Sequence, residues 1–229
     1  MLASPPLPPL RAIPYAPPTE PLRVLHADAA ILVVDKPAGL LSVPGKAPGL
    51  ADCLAARAEA AFPGARIVHR LDRDTSGVMV LARDARAQRI LGLQFEKRQV
   101  AKLYEALAAG RREGAGRIEA PLTADWPERP RQKIDAKAGR PAVTDWQALG
   151  PVAALPRPAT RFALTPLTGR SHQLRVHLAA LGHPILGDAL YAPDPVFEAA
   201  PRLMLHGRAL SLRSPLDGAP LRFASPPPF

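Results

Sequence analysis

The sequence predicts an α+β fold built on a mixed, mostly antiparallel β-sheet with flanking helices. Three observations lead there. Stretches that read as strands outnumber those that read as helices. The helical stretches fall between them without the regular strand–helix–strand rhythm of a doubly wound parallel sheet. No internal repeat divides the chain into stacked units.

The elements follow in order. Residues 1–21 carry eight prolines. A stretch so short of backbone donors favours extended polyproline conformations and reads as a tail or wrapped arm. The folded part, 22–229, reads as a single domain. Ile31–Asp35 is a β-branched run ended by Lys36-Pro37-Ala38-Gly39, hence a strand and a turn. Leu50–Phe62 places Leu50, Cys53, Leu54 and Ala58 on one helical face and stops at Pro63-Gly64. Gly77–Ala82 is a buried strand, and Asp84 caps a helix whose apolar face is Ile90, Leu91 and Phe95. Val100–Ala108 alternates as a strand, with Leu103, Glu105 and Leu107 on one side and Lys102, Tyr104 and Ala106 on the other. Ile118–Ala120, Gln132–Ala136, Val143–Leu149 and Thr160–Leu167 read as further strands. Thr168-Gly169-Arg170-Ser171 turns the chain into a helix over His172–Leu181, closed by Gly182. Leu203–Arg213 and Leu221–Ala224 are the last strands.

Bulk properties narrow the function. Thirty Lys and Arg against 20 Asp and Glu give a formal charge of +10, which suits a polyanion, nucleic acid first among them. Cys53 is the one cysteine, so neither an intrachain disulfide nor a thiolate metal cage is possible. No apolar run is long enough to span a membrane, and the N-terminus lacks the pattern of a signal peptide. The expected compartment is the cytosol. No stretch reads as an exposed apolar stripe, so a monomer is expected.

Three apparent motifs fail on spacing or composition. Gly39 to Gly45-Lys46-Ala47 has five residues between its glycines where a phosphate-binding loop needs four, and Ala47 offers no magnesium ligand. His172 and His177 lie five apart with no glutamate after His172, unlike a zinc-protease helix. Thr75-Ser76-Gly77 lacks the leading glycine of a nucleophile elbow.

Chemistry concentrates in two places. Residues 68–77 read V-H-R-L-D-R-D-T-S-G, directly before the apolar run Val78–Leu81. Asp72 sits there, and Gly77 allows the backbone a close approach. A carboxylate near a buried strand needs a cation. Residues 170–177 read R-S-H-Q-L-R-V-H, where His172 and Arg175 share one helical face and so address a common cleft. An arginine paired with Asp72 would keep it ionised, as a nucleophile or base. The first segment fits a plain turn equally well, and Asp74 suits that turn role better than Asp72.

The decapeptide resembles the signature of the RluA family of pseudouridine synthases, and other blocks agree in order. These are D-K-P-A-G-L-L-S-V-P-G (35–45), A-K-L-Y-E-A (101–106), L-T-G-R-S-H-Q-L-R-V-H-L (167–178), L-G-H-P-I-L-G-D-A-L-Y (181–191) and L-M-L-H (203–206). The resemblance covers about 22–229. Residues 125–133, D-W-P-E-R-P-R-Q-K, are similar to the subgroup that modifies both tRNA and 23S rRNA. The Pro-rich end does not look like the extra RNA-binding domain that many relatives carry.

The resemblance implies the pseudouridine synthase fold with a central cleft, Asp72 as catalytic residue, Tyr104 as active-site tyrosine and Arg175 as the arginine that pairs with the catalytic carboxylate. It implies structured RNA as partner, with Arg70 as the wedge that fills the space of a flipped nucleotide. Arg73, His69, His172, Arg170, Arg131 and Lys133 join the expected RNA-binding set, with His69 a loop support rather than a catalyst. Arg111, Arg112 and Arg129 are plausible phosphate contacts or plain surface charges. The isomerisation breaks N1–C1′ and joins C5 to C1′. Nothing is oxidised, so no cofactor, nucleotide or metal is expected. Two other readings share the basic surface: an RNA-binding protein without catalysis, and an N-glycoside hydrolase that releases uracil.

Overall fold

In a computed structural model, which describes residues 7–152 and 157–229, the elements run as β1 (Arg23–Ala27), β2 (Ile31–Lys36), α1 (Leu54–Ala61), β3 (Arg66–Ile67), β4 (Ser76–Ala82), α2 (Ala85–Glu96), β5 (Ala101–Ala109) and β6 (Ala115–Glu119). They continue as β7 (Leu122–Ala124), β8 (Gln132–Ile134), β9 (Val143–Pro151), β10 (Ala159–Pro166), α3 (Gln173–Ala180), α4 (Asp194–Phe197), β11 (Leu205–Arg213) and β12 (Pro220–Ala224). The chain folds as two units. One holds 14–102 and 206–228 and carries Asp72; the other holds 7–13, 103–205 and 229 and carries Arg175.

In the Asp72 unit, strand order is β1-β2-β4-β11-β12, with β3 also on β4. The β4–β11 pair is parallel and the others are antiparallel. This is the mixed, mostly antiparallel sheet that the sequence predicts. All seven residues of β4 are buried, which explains an apolar run without alternation. One face, Val78, Val80 and Ala82, packs with Ile31 and Val33 of β2 and with Ala87 and Leu91 of α2. Asp84 caps α2 as expected, its side chain accepting the Ala87 N–H at 2.7 Å.

In the Arg175 unit, β5-β10-β9-β6 form an antiparallel sheet, and β7 and β8 form a separate hairpin. Phe162, Leu164, Trp146, Leu174 and Leu178 are among its core residues. Glu105 is buried on β5 because Arg161 of β10 meets it at 3.1 Å.

Several expectations need correction. α1 starts at Leu54, not Leu50, because Cys53 is its N-cap: extended, with Sγ accepting the Ala56 N–H at 3.4 Å. α3 starts at Gln173, because His172 takes a left-handed φ of 54° that ends the preceding turn. The sequence reading missed β1, largely exposed and mixed in polarity, the two-residue β3, the short β7, and the single turn α4.

The Pro-rich stretch is described from residue 7; residues 1–6 lie outside the described residues. Residues 7–21 form no helix or strand. Leu7 packs with Leu122, Val176 and Tyr191, while Pro8 and Pro9 offer carbonyls to Arg131. Arg11 pairs with Asp194 and lies over the Phe197 ring at 4.4 Å. Within the Asp72 unit, the Tyr15 hydroxyl donates to the Asp52 carbonyl at 2.6 Å, and Arg57 donates to the Pro18 carbonyl at 2.6 Å.

Candidate active site

The loop before β4 is built around Asp72. Its carbonyl accepts the Thr75 N–H at 3.2 Å, so the turn is Asp72–Thr75, and Ser76-Gly77 already belongs to the strand. This corrects the expectation of a turn starting at Asp74. Asp74 instead receives a two-pronged fork from Arg73, at 2.8 and 3.0 Å. Gly77 has φ 126°, and a Cβ there would lie 2.4 Å from the backbone of Gly207. The close approach read from the sequence is therefore that of β11, which pairs Gly207 with Gly77.

Three side chains hold this loop from below. Lys36 is fully buried, and its ammonium donates to the carbonyls of Pro37, Leu40 and Arg73 at 2.8, 2.7 and 2.9 Å. That set matches the three N–H donors of an ammonium and ties the Pro37–Leu40 turn to the residue after Asp72. Ser42 Oγ donates to the Leu71 carbonyl at 2.6 Å and accepts the Leu71 N–H at 3.2 Å. His69 Nε2 accepts the Val80 N–H at 3.1 Å just beyond β3, and its ring stacks on Phe95 at 4.6 Å.

Burial, and then the nearby Lys102 cation, push the His69 pKa down to about 3. The ring is thus neutral, with its proton on Nδ1. His69 is a structural prop and not a cationic RNA contact, which corrects its place in the expected RNA-binding set. Behind the strand, Ser76 Oγ donates to His206 Nδ1 at 2.8 Å. The same ring donates from Nε2 to the Ser225 carbonyl at 3.1 Å. This is the histidine that ends the L-M-L-H block. Among the described residues, Thr75 Oγ1 is a buried side-chain oxygen without a hydrogen-bond partner.

The second cluster surrounds α3. Arg175 is 3% exposed and forks onto Asp188, Nε to Oδ2 at 2.8 Å and Nη2 to Oδ1 at 2.6 Å. Asp188 is fully buried and also accepts the N–H groups of Leu190 and Tyr191. Burial raises its pKa, but the Arg175 charge, the fork and the Leu190 N–H outweigh that and hold it below the usual value. The expected carboxylate partner of Arg175 is Asp72; the carboxylate that forks onto it within its own unit is Asp188, thirteen positions on. Asp188 was legible only as a letter in the L-G-H-P-I-L-G-D-A-L-Y block.

His172 and Arg175 do meet a common neighbour, Tyr191. His172 Nδ1 lies 2.7 Å from its hydroxyl, and Arg175 Cζ lies 5.3 Å from its ring centre. Gln173 anchors the helix start. Its Oε1 accepts from Thr168 Oγ1 and the Arg170 N–H, and its Nε2 donates to Thr144 Oγ1 and the Val143 carbonyl. His177 completes this network. Nε2 must donate to the Ala120 carbonyl at 3.0 Å, so Nδ1 accepts from Thr144 Oγ1 at 2.9 Å.

The remaining expected residues divide by exposure. Arg70 is exposed, whereas Arg73 is partly buried against Asp74. Tyr104 is partly buried on β5, against the core of the Arg175 unit. Arg170 donates from Nε to the Pro141 carbonyl. Lys133 is 40% exposed and 3.3 Å from Asp125. Arg131 is a correction: it is 2% exposed, and its guanidinium donates to the carbonyls of Leu190 and Pro8 and pairs with Glu128. It anchors a loop and the arm and does not present itself to phosphate.

These placements can be set beside known proteins. Residues 30–180, which contain Asp72, Tyr104 and Arg175, match the family model described as RNA pseudouridylate synthase. The chain belongs to the RluA family of RNA pseudouridine synthases. It is 45% identical over 219 residues to "Dual-specificity RNA pseudouridine synthase RluA" of Pasteurella multocida, covering 95% of this chain and 99% of that one. It is 45% identical over 217 residues to the protein of the same name from Escherichia coli K12, covering 94% and 98%. Among solved structures, it is similar to human RNA Pseudouridylate Synthase Domain Containing 1. That match has a TM-score of 0.77 and 31% identity, and covers 91% of this chain and 84% of that one. Members of the family are isomerases, and this chain carries their fold as well as their sequence.

Proposed function

We propose that this synthase isomerises uridines in structured RNA, in a tRNA anticodon stem-loop and a 23S rRNA hairpin, with Asp72 as the catalytic carboxylate. The observation that carries the reading is a single one. Asp72 opens a turn pinned on both sides by buried side chains, in a chain 45% identical to proteins named dual-specificity RNA pseudouridine synthases.

The chemistry needs a fixed carboxylate beside the sugar, as in a glycosidase. Asp72 either attacks C1′ or removes a sugar proton; both routes break N1–C1′ and end with C5 bonded to C1′. C5 gives up its proton and N1 gains one, so the product has the mass of the substrate. Tyr104 walls the uracil while it turns and takes part in removing the C5 proton. Arg175, oriented by Asp188, serves as counter-ion to Asp72. Arg70 enters the stack when the uridine leaves it, a role its exposure suits and that of a planar cation able to stack and to bind phosphate.

Mapping pseudouridines in tRNA and rRNA from cells with and without the protein tests this. The expected result is the loss of discrete sites in both RNA classes and their return on re-expression. An unchanged map would contradict the reading. Free uracil released from RNA by the purified protein would point to a hydrolase instead.

A further inference from the structure

The loop between β7 and β8 presents Trp126 at 69% exposure. It is the most exposed of the large apolar side chains among the described residues, and the one aromatic among those that are exposed. The other tryptophan, Trp146, is 6% exposed in the core. Arg129 lies over the Trp126 ring, its Cζ 3.3 Å from the ring centre. With one face under the guanidinium and most of the residue exposed, the other face is open to solvent.

The loop is not a loose hairpin tip. Asp125 N–H donates to the Arg131 carbonyl, Glu128 N–H to the Asp125 carbonyl and Arg131 N–H to the Glu128 carbonyl, at 2.9, 3.1 and 2.9 Å. The buried Arg131 guanidinium pins it to Leu190, and the Gln132 N–H donates to the Tyr191 hydroxyl at 2.8 Å. That hydroxyl is the one that meets His172, and the Tyr191 ring lies beside Arg175. A rigid indole–guanidinium stack is thus tied by hydrogen bonds to the helix carrying Arg175.

We propose that Trp126 and Arg129 form a stacking platform for an unpaired base of the RNA, separate from the uridine that is isomerised. The inference rests on RNA being the substrate. A base has two π-faces and an anionic backbone beside it. Aromatic rings and arginine planes are what single-stranded bases stack on, and a chain of net charge +10 favours a polyanion over a neutral or basic peptide. Arg129 supplies a cation at the ring without needing to leave the stack. The platform therefore helps choose which stem-loop is bound, through the shape of its splayed loop.

Intrinsic fluorescence tests this directly, because Trp126 is the exposed one of two tryptophans. Unmodified tRNA transcript titrated into the wild-type protein quenches the emission. Trp126→Phe abolishes the quench but keeps a ring that stacks, holding Kd within about threefold, whereas Trp126→Ala raises Kd and KM for RNA about 5- to 100-fold. A quench that persists in the Phe variant, or an Ala variant that binds as tightly as wild type, overturns the proposal. The titration reads binding alone. Quenching without pseudouridine formation would overturn the proposed function and leave the platform standing. Pseudouridine formation indifferent to Trp126→Ala would do the reverse. Wild-type protein that binds neither tRNA nor 23S rRNA overturns both.

Discussion

At the level of single residues, buried charges in both units are matched by hydrogen-bond partners. Lys36 has three carbonyls for its three donors, and Arg175 has both Asp188 oxygens. Removing one partner of such a pair is far worse than never having had it, because the other stays buried and charged. Arg175→Ala is therefore expected to cost about 3–5 kcal/mol of stability through the orphaned Asp188. Arg175→Lys is expected to recover part of that, since an ammonium cannot reproduce the two-pronged fork. Urea denaturation of the three proteins checks this; an Arg175→Ala protein as stable as wild type would contradict it. Asp72 and Arg175 stood out in the sequence because charged residues crowded into short blocks. Lys36 and Asp188 did not, because each sits in a mostly apolar stretch and its burial and partners depend on chain segments brought in by the fold.

At the scale of elements, the legible ones were those whose pattern is local. α2 has its Asp84 cap and apolar face in consecutive residues, and β4 is an unbroken apolar run. β1 and β3 were not legible, because their places come from pairing with β2 and β4 and not from any periodicity of their own. The start of α3 was misplaced by one residue because a left-handed histidine, not a Ser or Asp cap, ends the turn before it. Gly77 shows the opposite case, in which a sequence signal was correct but its object was unknown. The backbone it admits is β11, at the one parallel pair of the Asp72 unit. Gly77→Ala must relieve a 2.4 Å contact with Gly207 while holding φ at 126°. A loss of more than about 3 kcal/mol in stability is expected, with β4 and β11 parting first. Hydrogen exchange of these two strands checks it; native-like protection would contradict it.

At the scale of the whole molecule, the pH dependence of stability follows from groups whose titration the fold suppresses. His69 is held neutral down to about 3, against an ordinary value of 6.5. Between those values the unfolded chain binds the proton and the folded one does not, so stability falls as pH falls, by up to about 1.4 kcal/mol per pH unit. Asp188, lowered below its ordinary 3.8, stabilises the fold above that value and loses its contribution as pH drops beneath it. Denaturation midpoints measured from pH 8 to 4 should decline below about 6.5, and His69→Gln should flatten that decline. A profile level from pH 6.5 to 4 would contradict the assignment of His69 as a neutral prop.

Asp72 is proposed to perform the chemistry. Because C5 loses its hydrogen when it bonds C1′, release of tritium from RNA labelled at C5 of uridine reports the reaction without separation of products. Asp72→Asn in the purified full-length protein is predicted to lower that release by about a thousandfold or more while RNA binding persists. Release at the wild-type rate would contradict the account.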